Sequence, residues 1–207
     1  MTVIRMNIFL SILVLGTITW IIAPVTGLPS IDGVVSQGEY DSSISFGGGN
    51  LLVFWSISGD EFYLAMKGET KGWVSIGIEP SVEMFEADMI FGYVSGDSVT
   101  VIDAYSIGFT GPHPPDTEQG GTNDILSSAG SESNGITTIE VKRKLSTGDR
   151  YDKDIPKSGN VKIIWGMASS DSSTKKHSME GSGTLSVNEY LLSLVILPIG
   201  IILGRRS

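Results

Sequence analysis

His113 and the aspartates near it in the chain carry side chains that could bind a metal ion. His113 is one of only 2 histidines, and it lies in a polar loop, residues 107–121, that is rich in glycine and proline. Asp103 precedes this loop, Asp116 lies within it and Asp124 follows it. An imidazole together with carboxylates is a donor set that divalent metals accept. The set could form a metal site, but carboxylate-rich loops in an acidic exported domain are commonly found without a metal, and this alternative is favoured.

Met84 is the second side chain that needs an explanation. It stands among three glutamates in a turn that separates two apolar stretches, Trp73–Ile78 and Asp88–Val94. A large, soft side chain in a loop that otherwise faces water is usually a small hydrophobic plug. Whether it has another role depends on the pattern around it.

Several other kinds of chemistry find little support. Because the chain has no cysteine, thiolate zinc sites, iron–sulfur clusters, c-type haem attachment and disulfides are excluded. Nucleophile-elbow, phosphate-loop and dinucleotide motifs are missing as well. A net charge of −9 repels nucleic acid. The sequence therefore favours a binding or carrier domain over an enzyme and excludes a nucleic-acid partner.

Both ends of the chain are apolar and predict a membrane protein. Residues 1–27 combine Arg5 with an apolar run from Ile8 to Ala23, the pattern of a secretory signal peptide. An uncleaved signal anchor is the alternative. Residues 188–204 are predicted to form a transmembrane helix, and the basic tail 205–207 places the C-terminus in the cytoplasm. Extending this helix back to Leu185 gives it the length of a membrane span, whereas a tail removed during sorting is the alternative.

The part between the two ends, residues 28–187, is therefore expected to work outside the cytoplasm on a single-pass protein of the cell membrane. It contains much glycine and short apolar runs separated by turns. The predicted strands are Leu51–Ile57, Glu61–Lys67, Trp73–Ile78, Asp88–Val94, Val99–Tyr105, Asn123–Ser127, Gly135–Arg143, Val161–Ala168 and Gly181–Val187. This spacing predicts an all-β fold, an antiparallel immunoglobulin-like β-sandwich of about ten strands.

The stretch Gly72–Val94 carries a resemblance to a known family. It reads Gly-Trp, an apolar strand, then Met-x-x-Ala-Asp and a second strand. An Asp-Gly phrase at residue 32 and a Glu-Tyr phrase at residue 39 add to it. Together these phrases resemble the DOMON domain family, which includes the N-terminal module of dopamine β-monooxygenase and the cytochrome domain of cellobiose dehydrogenase. The resemblance spans residues 31–187.

The resemblance implies a cofactor and its ligands. In haem-binding members of the family, a methionine at the place of Met84 is one axial ligand of the iron. A histidine after a tryptophan-containing strand is the other, and His177 follows the stretch around Trp165. The resemblance thus implies that Met84 and His177 hold haem b. Because the loops of a sandwich gather at the ends of its sheets, we expect both loops at one end, with the haem edgewise between them. Phe85 and Met179 would pack against the ring. Alternatively, Met84 is an apolar plug and His177 a solvated turn residue.

The resulting functional prediction is a membrane-anchored, extracytoplasmic domain that binds b-type haem and exchanges single electrons with a redox partner. The first alternative is a cell-surface module without haem that binds carbohydrate or another ligand. The second is a structural β-domain without a cofactor. Trp55, Trp73 and Trp165 lie in predicted strands, so they are expected in the core rather than on a sugar-binding platform.

Overall fold

Ten strands account for nearly all regular structure in the computed structural model, which describes residues 27–189. The strands are β1 (Ser42–Phe46), β2 (Leu51–Ser58), β3 (Glu61–Gly68), β4 (Val74–Ile78), β5 (Asp88–Ser95), β6 (Ser98–Tyr105), β7 (Ile125–Ser133), β8 (Ile136–Lys144), β9 (Ser158–Met167) and β10 (Met179–Asn188). Two single 3-10 turns, Gly47–Gly49 and Asp116–Glu118, complete the set.

The strands form two five-stranded antiparallel sheets. The order in the first sheet is β1-β2-β3-β8-β7, and the order in the second is β10-β9-β4-β5-β6. Short turns at Gly59 and Gly96, both with a φ of +60°, join β2 to β3 and β5 to β6 as hairpins. The all-β class, the antiparallel pairing and the number of strands are confirmed.

Alternation along the strands places one large apolar cluster between the sheets. Leu64 of β3, Ile76 of β4 and Ile139 of β8 belong to it, and each is at most 1% exposed. Because successive side chains point to opposite faces of a strand, the neighbours of these residues face outwards. Trp55 and Trp165 lie in this central core, as predicted.

A second apolar cluster covers the outward face of the second sheet. Met89 and Phe91 flank the inward Ile90 on β5 and therefore point away from the central core. We call this group the outer apolar cluster, and its buried members are Trp73, Ala87, Met89, Phe91, Ala104 and Ala168. A sheet face that is fully solvated would be polar, so this face is built to be covered.

The outer face of the first sheet is covered by the chain segment that precedes β1. Glu140 of β8 is fully buried and accepts hydrogen bonds from the backbone N–H groups of Asp32 and Gly33. The Tyr40 hydroxyl donates a third hydrogen bond to Glu140, over 2.7 Å. Burial, followed by this bond to Glu140, raises the pKa of the Tyr40 hydroxyl. The buried Glu140 carboxylate thus attaches residues 32–40 to the sheet through these three hydrogen bonds.

Tyr40→Phe should lower the free energy of unfolding by about 1.5–3 kcal/mol, the usual contribution of a hydrogen bond to a charged group. The variant leaves the buried Glu140 carboxylate, the charged acceptor, without the hydrogen bond from the Tyr40 hydroxyl. Urea denaturation of the purified protein measures the loss. Tyr63→Phe is the matched control, because its hydroxyl donates to Glu61, which is partly exposed. The control should lose less than about 1 kcal/mol. Equal losses in the two variants would contradict the role given to Glu140.

The structure differs from the sequence prediction at both ends of the domain. Strand β1 was not predicted, and Leu185–Asn188 belong to β10, not to a helix. Asn188 was predicted as the first residue of the membrane helix, but it pairs with Ser158. Glu189 follows in an isolated bridge with Ile57, while residues 190–204 of that predicted helix and residues 1–26 of the predicted signal peptide lie outside the described residues. Within residues 27–189, no helix is long and apolar enough to cross a membrane.

Candidate functional site

Met84 is half-buried in the loop of residues 79–87 between β4 and β5. This loop has a defined shape, because Phe85 donates a backbone hydrogen bond to Val82 and Glu86 donates one to Ser106. Glu83, immediately before Met84, has a φ of +53°, a left-handed conformation that costs free energy for a residue other than glycine. The surrounding hydrogen bonds therefore hold Met84 at the tip of a tight, specified turn.

His177 lies in the loop between β9 and β10, and its side chain is 21% exposed. Its Nδ1 contacts the Glu180 carboxylate, three residues further along the chain. A histidine whose Nδ1–H donates to a carboxylate is fixed in one tautomer, and its Nε2 then keeps a free lone pair for a metal. Glu180 is thus the acceptor that a ligating histidine requires.

His113 is the third potential ligand near this site. Its ring lies 5.5 Å from the ring of Phe91, which belongs to the outer apolar cluster. Burial, and then the charge of nearby His177, lowers the pKa of His113. Its Nδ1 is buried without a hydrogen-bond partner among the described residues. Sequence reasoning placed His113 in a different site, and only the path of its loop across the sheet brings it here.

The two loops that carry Met84 and His177 begin at opposite ends of β4. Residues 79–87 follow Ile78, whereas the His177 loop follows Met167, which pairs with Val74. The five residues of β4 separate these ends by about 13 Å. The prediction that both loops share one end of the sandwich is therefore wrong. A ligand that reaches both side chains must lie along the outer face of the second sheet, with the loops on opposite sides of it.

The floor between the loops is apolar and built partly from small residues. Gly77 of β4 and Gly166 of β9 lie on the outward face, and a Cβ on Gly77 would come within 2.4 Å of the Met89 sulfur. Phe85 contacts Phe109 with ring centroids 5.3 Å apart, so aromatic side chains border the floor. Trp73 is also part of it, and its Nε1 is buried without a partner among the described residues.

Met179 was predicted to pack against a haem beside Phe85, and the structure contradicts this. Met179 packs against the central core, and its methyl group lies near Gly47 together with the Trp165 ring. It follows His177 and Ser178 onto β10, where the alternation turns its side chain inwards. Phe85 is the residue of this pair that borders the outer face.

The residues present fit a haem at this place. A thioether and an imidazole with a free Nε2 are the two donors of Met/His-ligated cytochromes. They belong to loops on opposite sides of one apolar floor, and axial ligands must approach iron from opposite faces of the ring. The two buried nitrogens without partners, Nδ1 of His113 and Nε1 of Trp73, lie at the same floor and are a second sign that a group belongs there.

A separate acidic cluster lies between the two sheets, at the end of the sandwich where β5 begins. It consists of Asp88, Asp103, Asp116 and Asp152, and each of their side chains is at most 3% exposed. Arg143 of β8 is buried beside them, with Nη1 2.6 Å from Asp88 Oδ2 and Nη2 3.4 Å from Asp152 Oδ2. Loops carry Asp116 and Asp152, whereas strands carry Asp88 and Asp103.

Burial dominates the titration of the acidic cluster. It raises the pKa of Asp103 to about 7 and, with the charge of Asp103, raises the pKa of Asp116 to about 8. Burial also raises the pKa of Asp152 to about 6, although the Arg143 guanidinium opposes the shift. The pKa of Asp88 is also raised, because the effect of complete burial exceeds the opposing effect of the Arg143 guanidinium. One guanidinium is too little positive charge for four buried carboxylates.

The candidate metal set of His113, Asp103, Asp116 and Asp124 is only partly assembled. The three aspartates are close together, and the backbone N–H of Asp124 donates to Asp103 over 2.7 Å. His113 lies on the other side of the second sheet, because Phe91 beneath it faces outwards while Asp103 pairs with the inward Ile90. Asp88, Asp152 and Arg143 were not included in the predicted set. Asp88 and Arg143 could have been identified from the sequence, because each occupies an inward position in the alternating pattern of its strand.

Comparisons with known proteins agree with this architecture. A family model described as the DOMON domain matches residues 47–168. The cytochrome b domain of pyranose dehydrogenase from Coprinopsis cinerea superposes with a TM-score of 0.54 at 19% identity, covering 79% of this chain and 88% of that one. The cytochrome domain of Myriococcum thermophilum cellobiose dehydrogenase gives a TM-score of 0.51 at 13% identity, with 71% and 81% covered.

A search of curated protein sequences gave no match. At these identities the solved structures show that the fold is shared, and the family match extends over more than half of the chain. It includes the Met84 loop and all strands from β2 to β9. The resemblance that the sequence indicated is thereby confirmed, and the chain belongs to the DOMON domain family.

Proposed function

We propose that this DOMON domain binds one haem b on the outer face of its second sheet, with Met84 and His177 as axial ligands, and that it transfers single electrons. The observation that carries the proposal is the contact of His177 Nδ1 with Glu180 beside the outer apolar cluster. This contact orients the ring by a second residue, and in the neutral imidazole it leaves Nε2 available to a metal, as ligating histidines require. The structural similarity to two cytochrome domains supports the same interpretation.

The chain's own residues would have three tasks in this function. Glu180 would hold the His177 ring and increase its basicity. The tight turn at Glu83 would keep the Met84 thioether in place without a large rearrangement on binding. The outer apolar cluster would exclude water from the cofactor, which affects its potential. A haem with two protein ligands supplies one-electron redox chemistry and has no free position for oxygen.

Membrane attachment and the partner are part of the proposal. The apolar C-terminal residues of the sequence would hold the domain at the outside of the cell membrane, where a partner redox protein exchanges electrons with it. Fractionation of the producing cells, with the protein recovered from the membrane pellet, tests the attachment. The cellobiose dehydrogenase domain among the similar structures supports a redox partner.

The carbohydrate-binding alternative receives no support from the described residues. A sugar-stacking platform needs an exposed aromatic face, but Trp55, Trp73 and Trp165 are 5%, 3% and 7% exposed. Trp55 does line a groove beside β1 and β10, but its indole Nε1 donates to the Ser186 carbonyl and its ring belongs to the central core, so the groove presents mainly serine and threonine side chains. We therefore retain electron transfer as the single proposed function.

The test of the proposal is the absorption spectrum of the purified protein produced with haem supplied. We expect one haem per chain, a Soret band, and a reversible spectral change when dithionite reduces the iron and ferricyanide oxidises it. The reduced protein should not bind carbon monoxide, because both axial positions are filled. A folded protein that stays colourless after incubation with haem would refute the proposal, and rapid binding of carbon monoxide would refute the ligand pair.

A further inference from the structure

We propose that the acidic cluster of Asp88, Asp103, Asp116 and Asp152 is a binding site for a calcium ion. One carboxylate oxygen from each of Asp88, Asp103 and Asp152 lies within 4.8 Å of the other two. Calcium binds oxygen ligands at about 2.4 Å, so oxygens on one ion are at most about twice that distance apart. Three carboxylates from β5, β6 and the β8–β9 loop thus meet the geometric condition for sharing one cation.

Unsatisfied oxygens provide an independent observation. Both oxygens of Asp116, both of Asp152, and Oδ1 of Asp88 and of Asp103 are buried without a hydrogen-bond partner among the described residues. Asp116 is 1% exposed and adjoins Asp103 closely enough for their charges to interact. Native structures leave few buried polar atoms unpaired. Unpaired buried carboxylate oxygens on all four aspartates indicate a cation that carboxylates bind.

The residues that the structure describes do not supply the missing positive charge. Arg143 Nη1 donates to Asp88 and Nη2 lies 3.4 Å from Asp152 Oδ2, while Nε donates to the Lys144 carbonyl and Nη2 to the Lys153 carbonyl. The ammonium group of Lys153 lies over the Tyr105 ring. Neither cation contacts Asp103 or Asp116. A divalent ion would neutralise the charge that Arg143 leaves uncompensated, and the irregular, all-oxygen donor set suits calcium better than magnesium.

The elements that carry these carboxylates show what the ion would do. Asp116 belongs to the long loop between β6 and β7, and Asp152 belongs to the loop between β8 and β9. Asp88 and Asp103 are part of the second sheet, whereas Arg143 belongs to the first. An ion bound here would tie these two loops to the second sheet at one end of the sandwich, beside Arg143 of the first sheet. The site is on the opposite side of the second sheet from the haem candidate, so it is independent of the proposed function.

Calcium binding is tested on the purified protein after its metals have been removed with EDTA and the chelator has been washed out. Titration calorimetry with calcium chloride should show one ion per chain. Calcium at 100 times its dissociation constant should raise Tm by about 5–10 °C. Magnesium chloride at the same concentration should give a clearly smaller shift, and an equal shift would overturn the assignment to calcium.

Asp116→Asn is the variant of choice, because the Asp116 oxygens accept no hydrogen bond from the described residues. It should fold, bind calcium at least 10-fold more weakly and lose most of the Tm shift. Asp103→Asn is the second variant, to be used if the first is unstable. Asp97→Asn, in the exposed turn between β5 and β6, is the matched control and should behave like the wild type. Absence of any calcium effect on the wild type, or an unchanged effect in both cluster variants, would overturn the proposal.

Discussion

Arg143→Met should lower the free energy of unfolding by about 3–5 kcal/mol, the usual cost of removing one partner from a buried ion pair. The Arg143 side chain is 1% exposed and lies 2.6 Å from the fully buried Asp88. Methionine has a similar volume and fills the space, but it leaves the carboxylates of Asp88 and Asp152 without their cation. The loss is therefore an electrostatic effect and does not result from a cavity.

Urea denaturation in the presence of EDTA measures this loss without a contribution from bound metal. Lys142→Met is the control on the same strand, because Lys142 pairs with Glu61 at the surface and should lose less than about 1 kcal/mol. In the double variant Arg143→Met with Asp88→Asn, removal of one buried charge should restore part of the stability. If Arg143→Met proved as stable as Lys142→Met, the buried ion pair would not have the importance given to it.

Replacing the proposed axial ligands should have the largest effect on cofactor binding. His177→Ala should lose haem during purification, because the imidazole is the stronger of the two protein ligands. Met84→Ala should keep some haem, with an altered spectrum, a lower reduction potential and a free position for carbon monoxide. Glu180→Gln should weaken haem binding by about 10–100-fold, because His177 loses the carboxylate that orients it.

His113→Ala is the matched control for His177→Ala, because both histidines border the same floor. It should retain haem with an unchanged absorption spectrum, because both proposed axial ligands remain, and loss of its ring from the floor should weaken haem binding less than His177→Ala does. Circular dichroism of each variant shows whether the sandwich is intact. The ligand assignment would fail if His113→Ala lost haem while His177→Ala kept it. In that case the second axial ligand would belong to the loop between β6 and β7.

The sequence was sufficient to predict the strands that have a regular apolar pattern and end in a glycine turn. The hairpins β2–β3 and β5–β6 have both features, so their pairing follows from the chain alone. Strand β1, with the sequence SSISF, is an edge strand with only two apolar residues among serines. No local pattern separates it from a loop, because its pairing with β2 comes from the tertiary structure.

For the candidate site, the sequence could predict the residues within each loop but not the position of one loop relative to another. The Met84 turn and the His177 turn were recognisable, but the sequence could not show that they begin at opposite ends of β4. It also combined His113 with Asp103, although a sheet separates them. Whether two loop residues meet depends on which face each loop covers, and a single sequence contains no measure of that. By contrast, Asp88 and Arg143 are in phase with the buried apolar residues of their strands, so their burial could have been predicted from the sequence.

The hydrogen bonds of Glu140 set a limit on where this domain can be cut. The segment that covers Glu140, residues 32–40, precedes the family match at residue 47, and β10 follows its end at residue 168. A fragment with those boundaries would expose a bare carboxylate on one sheet and turn β9 into an unprotected edge. Such an edge pairs readily with other chains, so the excised fragment should aggregate. The autonomous folding unit is therefore longer than the stretch by which the family is recognised.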